Sequence, residues 1–245
     1  MAIWRAPLIW LVILLVSAGL MPDLVRMLFP DQSSLVYQRD SFLWLLQHHV
    51  LLVVASASVG TVLAVLAGVM VTRSWGRDFL PLVSQIASIG QTVPPVAVLA
   101  LAVPILGFGD GPTVMALLLY GLLPILRNTL AGLDGIPASV TEAARGMGMS
   151  STQVLLQTEL PLAGRVILAG IRTSVTINIA TAAIGSTIGA RTLGDPVIAG
   201  LVNGNNAYVL EGAVLIGLLA ITTDSLFEAL ERLWARRFAA APGTA

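Results

Sequence analysis

Five stretches of this 245-residue chain carry no charged side chain: 6–22, 41–72, 79–109, 111–126 and 173–190. Each is apolar and long enough, or nearly so, to cross the hydrocarbon layer of a membrane as a helix. A sixth span falls near 207–227, with Glu211 and Asp224 close to its two ends. With 56% hydrophobic and only 11% charged residues, an ordinary soluble domain is excluded. The expectation is an all-α, polytopic membrane protein forming one domain over 1–245. About six transmembrane helices are expected, over 6–22, 49–72, 80–106, 113–131, 163–190 and 207–227. The third must be broken at Pro94-Pro95, which removes two backbone donors in mid-segment.

Arginine sets the orientation. If the amino terminus is inside, Arg5, Arg73, Arg77, Arg127, Arg145, Arg165, Arg172, Arg232, Arg236 and Arg237 lie on the inner side. Only Arg26, Arg39 and Arg191 lie outside. Ten against three places both termini and the 132–161 loop in the cytoplasm. The first span has parts of a secretory signal (Arg5, a short apolar core, Ser17-Ala18-Gly19), but no A-x-A cleavage site follows. It reads as a retained helix.

The chain has no Lys, so G-x-x-x-x-G-K-[ST] cannot be written in it and any driving ATPase is a separate polypeptide. No cofactor is expected on this chain. Without Cys there is no thiol chemistry or Cys-based metal site, and zero net charge gives no footprint for nucleic acid. His48 and His49 are read as interfacial residues at the start of a span, facing different ways. Arg172 is expected to snorkel at the inner interface, and the five tryptophans to anchor span ends.

The most patterned segment is the polar stretch 142–161. Ser139 with Glu142 and Ser150 with Gln153 each have capping-box spacing, so two short helices are expected. Gly146 and Gly148 would release the first, and Pro161 would stop the second just after Leu160. Gly148 is expected in a left-handed or strained conformation. Small residues recur every four positions at Gly170, Ser174, Asn178, Ala182, Ser186 and Ala190, beside a row containing Thr173, Ile177, Thr181, Gly185 and Gly189. Such a ridge fits a pore wall or permease–permease contact, and equally helix packing within one subunit. Gln91, Thr92, Pro94 and Pro95 form a polar break of the kind that lines a cavity in membranes, or a simple kink.

The order Glu142-Ala143-Ala144, three residues, Gly148, nine residues, two more and Leu160-Pro161 resembles the "EAA loop" of binding-protein-dependent ABC importer permeases. Thr158 stands where that family usually has an aliphatic residue. Together with segments 89–109, 124–149 and 167–190, the likeness covers roughly 50–225 and is similar to the osmoprotectant branch, which carries glycine betaine, choline or carnitine. The resemblance implies a type I (MetI-like) permease fold in the bacterial inner membrane and no enzymatic activity. It implies an ABC ATPase docked on Glu142, Ala143, Ala144, Gly148, Leu160 and Pro161, an extracytoplasmic solute-binding protein, a second permease (a copy or a paralogue) and surrounding lipid. Path candidates are Gln91, Thr92, Pro94, Pro95, Tyr120 and Asn178. A quaternary ammonium needs an aromatic cage, and Tyr120 alone is an aromatic at mid-membrane, so tight recognition is expected on another subunit. Another small solute, such as an amino acid, is the alternative substrate. An ion-coupled carrier is disfavoured by the lack of carboxylates in the central zone. An intramembrane enzyme lacks a catalytic constellation.

Overall fold

The computed structural model describes residues 2–28 and 37–238, and the carboxyl-terminal end expected inside lies at 239–245, outside the described residues. It is all helical: α1 Arg5–Leu28, α2 Phe42–Thr72, α3 Leu80–Thr92, α4 Pro95–Leu106, α5 Asp110–Asp134, α6 Ala138–Gly146, α7 Ser151–Val154, α8 Leu160–Gly185, α9 Gly194–Asn203 and α10 Asn206–Phe238. Four helical stretches among these residues are long and apolar enough to span a membrane: Phe42–Thr72, Asp110–Asp134, Ser151–Ile188 and Asn206–Phe238. Two shorter apolar helices, Arg5–Met21 and Pro95–Leu106, complete the six expected segments. The third expected span is thus two helices, and α9 was not anticipated.

The antiparallel pair α5–α8 is the centre of the molecule. Contacts march along it in opposite directions: a Cβ on Gly132 would lie 3.1 Å from that of Ala163, and one on Gly170 would lie 2.6 Å from that of Asn128. Near the far end, Gly185 faces Thr113. The four-residue ridge of small residues therefore serves packing inside the subunit, where Ser174, Asn178 and Ala182 are fully buried. Dispersion and close backbone approach hold such a seam together in lipid, where no hydrophobic gain is on offer. Around this pair, α2 packs on both helices, α3 and α4 lie on α5, and α10 joins α8, α9 and α1.

His49 and Glu211, expected near span ends, are part of this core. Ser41 caps α2, its Oγ accepting from Trp44 N–H at 3.3 Å. The helix therefore starts a full two turns before His49, whose ring is 0% exposed. His49 Nε2–H donates to Ile179 O at 3.1 Å and Nδ1 accepts from Leu193 N–H at 3.3 Å. Both ring nitrogens of a neutral imidazole are thereby used, tying α2 to the body of α8 and to the start of α9. His48 faces elsewhere, 3.1 Å from Asp110. Arg172 grips Asp224 of α10 through two 2.6 Å bonds and reaches Glu231 at 3.6 Å. Glu211, expected near a span end, is 0% exposed and accepts from Tyr37 N–H at 3.2 Å. Burial and the Asp195 carboxylate push the Tyr37 phenol, which lies outside the spans, up to about 12.

The α5–α8 seam gives a matched test. Gly170→Ala would set its Cβ against Asn128 and, at 2.9 Å, the Pro124 carbonyl, whereas Gly217 on α10 faces open space. Overpacking of about 1–3 kcal/mol should lower the thermal midpoint in detergent by several degrees for Gly170→Ala. Gly217→Ala should hold or raise it.

Candidate functional site: the α6–α8 arm and the broken helix

The loop candidate begins at Pro137, not at Ser139. Pro137 has φ −57° and ψ 136°, and the chain enters α6 at Ala138 with no side-chain cap. Ser139 is already inside the first turn, so the expected Ser139–Glu142 box does not form; proline, whose ring fixes φ and whose own N–H is absent, sets the start instead. Glu142 and Ala143 are exposed on one face with Met147, which is 76% exposed. Ala144 points the other way and is 2% exposed, so only one of the two alanines can meet a partner.

The end of α6 is built as expected around Gly148. Met149 N–H bonds to Ala144 O at 3.2 Å and Gly148 N–H to Arg145 O at 2.9 Å, the paired bonds of a Schellman motif. Gly148 has φ +83°, where a Cβ is strained, although nothing lies within 4 Å of it. Two residues on, the Ser150–Gln153 capping box is formed in both directions, at 2.8 Å and 3.3 Å. The bend between α6 and α7 is therefore specified bond by bond.

Pro161 does not stop the helix that follows. Residues Leu155–Glu159 widen into a π-helical turn, with Leu160 N–H bonding back to Leu155 O. Proline then sits in the first turn of α8, where its missing donor is tolerated. The consequence is a continuous helical arm, Ser151–Ile188, joining the loop to the membrane seam. Leu160 and Pro161 are half-buried at its shoulder. Two contacts bolt that shoulder down. Glu159, 8% exposed, accepts from Arg73 Nη2 at 2.5 Å at the end of α2, and Trp234 of α10 donates to Pro161 O at 2.9 Å while packing on Gly164. Trp234 is thus a joint between helices as well as a residue near a span end. Sequence spacing offered no sign of the Arg73–Glu159 pair, whose members are 86 positions apart.

At mid-membrane the path candidates divide. The break between α3 and α4 leaves Val93 extended, as a residue before proline must be. Ala97 and Val98 N–H both turn to Pro94 O, leaving the Val93 carbonyl without a helical donor. The Tyr120 hydroxyl supplies one. Pro124 inside α5 in turn deprives the Tyr120 carbonyl of its usual donor, and Gln91 Nε2 replaces it at 3.0 Å. Two proline defects on neighbouring helices thus satisfy each other through Gln91 and Tyr120. Tyr120 is 6% exposed and Asn178 is 0% exposed, both packed between helices, while Thr92 and Pro94 are exposed and Gln91 and Pro95 half-buried. Ser174 Oγ and both amide atoms of Asn178 lie against Gly121 with no hydrogen-bond partner. The exposed face of α8 carries Thr173, Thr176 and Ala180 and continues to Thr187 just past its end; of these only Thr173 belongs to the row read beside the small-residue ridge.

Comparison with known proteins agrees with this architecture. The family described as binding-protein-dependent transport system inner membrane component matches residues 60–236. The osmoprotectant import permease protein OsmY of Salmonella typhimurium is 42% identical, over 79% of this chain and 82% of that one. The choline transport system permease protein OpuBB of Bacillus subtilis is 37% identical, over 86% and 94%. A chain of the inward-facing MetNI methionine ABC transporter has the same fold, with a TM-score of 0.70 at 22% identity, over 80% of this chain and 99% of that one. The chain belongs to the family of binding-protein-dependent transport system inner membrane components: it is a multi-pass permease subunit of an ABC-type importer.

Proposed function

We propose that this permease imports a compatible solute of the glycine betaine, choline or carnitine kind, driven by an ABC ATPase that docks on the exposed face of α6. The observation that carries the docking half is the built arm: a capped helix with Glu142, Ala143 and Met147 outward, joined through a fixed bend and π-turn to the central seam. The substrate half is supported by the names of its relatives, an osmoprotectant and a choline permease.

In this reading both described ends of the chain and the 132–161 loop are cytoplasmic, in keeping with the arginine split. A second permease, copy or paralogue, covers the threonine stripe of α8, and solute passes between the two from an extracytoplasmic binding protein. Closure of the ATPase pair moves α6; the arm transmits that motion to α8, and the Arg73–Glu159 bond carries it to α2. The unpartnered Asn178 and Ser174 mark the seam at which a second packing gains hydrogen bonds, so the two states differ in contact energy as alternating access requires. Thr92, Pro94, Gln91 and Pro95 line or shape the way through, with Tyr120 positioning the break.

Orientation is tested by single cysteines in this Cys-free chain, at exposed sites that cap no helix. Asn203→Cys should react with an impermeant thiol reagent in intact cells and Ser151→Cys only after lysis; the opposite pattern inverts the topology. Docking is tested by Gly148→Val, which strains the bend by about 1–2 kcal/mol without touching a neighbour. Membrane insertion should be normal, while ATPase copurified per permease and ATP-driven uptake of labelled betaine, choline or carnitine both drop severalfold. Full recovery of both would refute the assignment of α6. Uptake by the unmodified complex of an amino acid but of none of these three amines would refute the substrate class alone.

A further inference from the structure

Two adjoining cavities on the α1–α10 side of the molecule have no part in the transport scheme. One is a groove of about 610 Å³ enclosed by α1, α2, α8 and α10. Its α2 wall is the stripe Leu46, Val50, Val54, Ala57 and Thr61, which spans about 22 Å at 1.5 Å per residue. Spread over that length, the volume makes a slender apolar groove suited to a hydrocarbon chain. The other cavity, about 370 Å³, starts one residue further along the same two helices: Arg172 follows Ile171 on α8, and Glu228 follows Phe227 on α10.

The second cavity has a charge surplus. Arg172 is held by Asp224 and Glu231, and Arg232 by Glu228. Arg165 and Arg236 also line it and make no ion pair among the described residues. An apolar slot that opens beside two guanidiniums outside any ion pair, where four arginines stand with three carboxylates, is complementary to an amphiphile with a net negative head. Guanidinium forks suit phosphate oxygens, and basic pockets between spanning helices at the membrane interface take anionic lipid heads. A zwitterionic head would bring its ammonium into the same field. We propose that the two cavities together bind one anionic phospholipid, an acyl chain lying in the groove and the phosphate at Arg165 and Arg236. The lipid then fills the gap between α1 and α2, helices that touch each other little, and fixes α1 to the rest of the bundle.

The test is retention of lipid by the permease complex, purified in mild detergent and incubated with phosphatidylglycerol or phosphatidylcholine, read by native mass spectrometry. Wild type should keep phosphatidylglycerol and lose phosphatidylcholine. Arg165→Gln with Arg236→Gln should weaken phosphatidylglycerol retention on the order of tenfold. Arg77→Gln with Arg127→Gln, an equal charge change on exposed arginines outside the cavity, should leave it unaltered. Ser58→Phe, which fills the groove from a partly open position, should lower retention whichever head group is offered. Monodisperse elution of each variant establishes that it is folded. Equal retention of the two lipids by wild type, undiminished retention in the Arg165/Arg236 variant, or the same loss in the Arg77/Arg127 variant would each overturn the site.

Discussion

A proline takes away a hydrogen-bond donor but leaves a carbonyl behind, and in hydrocarbon that carbonyl must find another donor. This one constraint accounts for the arrangement of the central helices. Pro94 and Pro95 break the third span and leave Val93 O outside the helical ladder, where the Tyr120 hydroxyl meets it; Pro124 removes the donor to Tyr120 O, which Gln91 replaces. The break is thereby a rigid, registered joint between α3–α4 and α5. At Pro161 the same defect is handled by widening the helix into a π-turn, which keeps the backbone continuous where a stop was expected.

Function follows from which parts become rigid bodies. The loop helix α6 is joined to α8 through a Schellman motif, a capping box and the π-turn, each closed by its own hydrogen bonds. Its shoulder is also tied to α2 by Arg73–Glu159 and to α10 by Trp234 and Pro161. A partner pressing on α6 therefore acts on three spanning helices together. The less satisfied element is the α5–α8 seam at Gly121, where close approach is combined with unpartnered polar atoms. Tight packing with unsatisfied polarity is the combination from which a second, alternative packing can be drawn.

What could be read from sequence was local or periodic. Uncharged runs gave the spans, Pro94-Pro95 gave the break, Ser150–Gln153 gave a cap, and Gly148 showed its positive φ through its place after a helix. The errors came where distant partners decide. Ser139 and Glu142 have the right spacing for a box, yet Pro137 three residues earlier than the expected first helical turn sets the helix start. His49 looked like a residue at a span end until Ser41 moved that end two turns back and Leu193 and Ile179 took both its nitrogens. The pairing of Arg172 was hidden because Asp224 is 52 positions away. Tyr120 stood out as an aromatic within a span and Asn178 as a member of the small-residue ridge, but periodicity alone does not say that both pack between helices. The Thr173–Thr187 stripe is the converse case, a polar face hidden beside a more regular small-residue ridge.

The central claim, that the bolted shoulder converts movement of α6 into movement of the spans, is tested most directly by the ratio of solute imported to ATP hydrolysed. The reconstituted complex carrying Glu159→Gln is the informative variant, since it removes the charge that Arg73 grips and leaves the α6 surface intact. The account predicts normal ATPase association and continued hydrolysis, with a severalfold fall in solute moved per ATP. Combining Glu159→Gln with Arg73→Gln should cost no more than either change alone. An unaltered ratio in Glu159→Gln would contradict it.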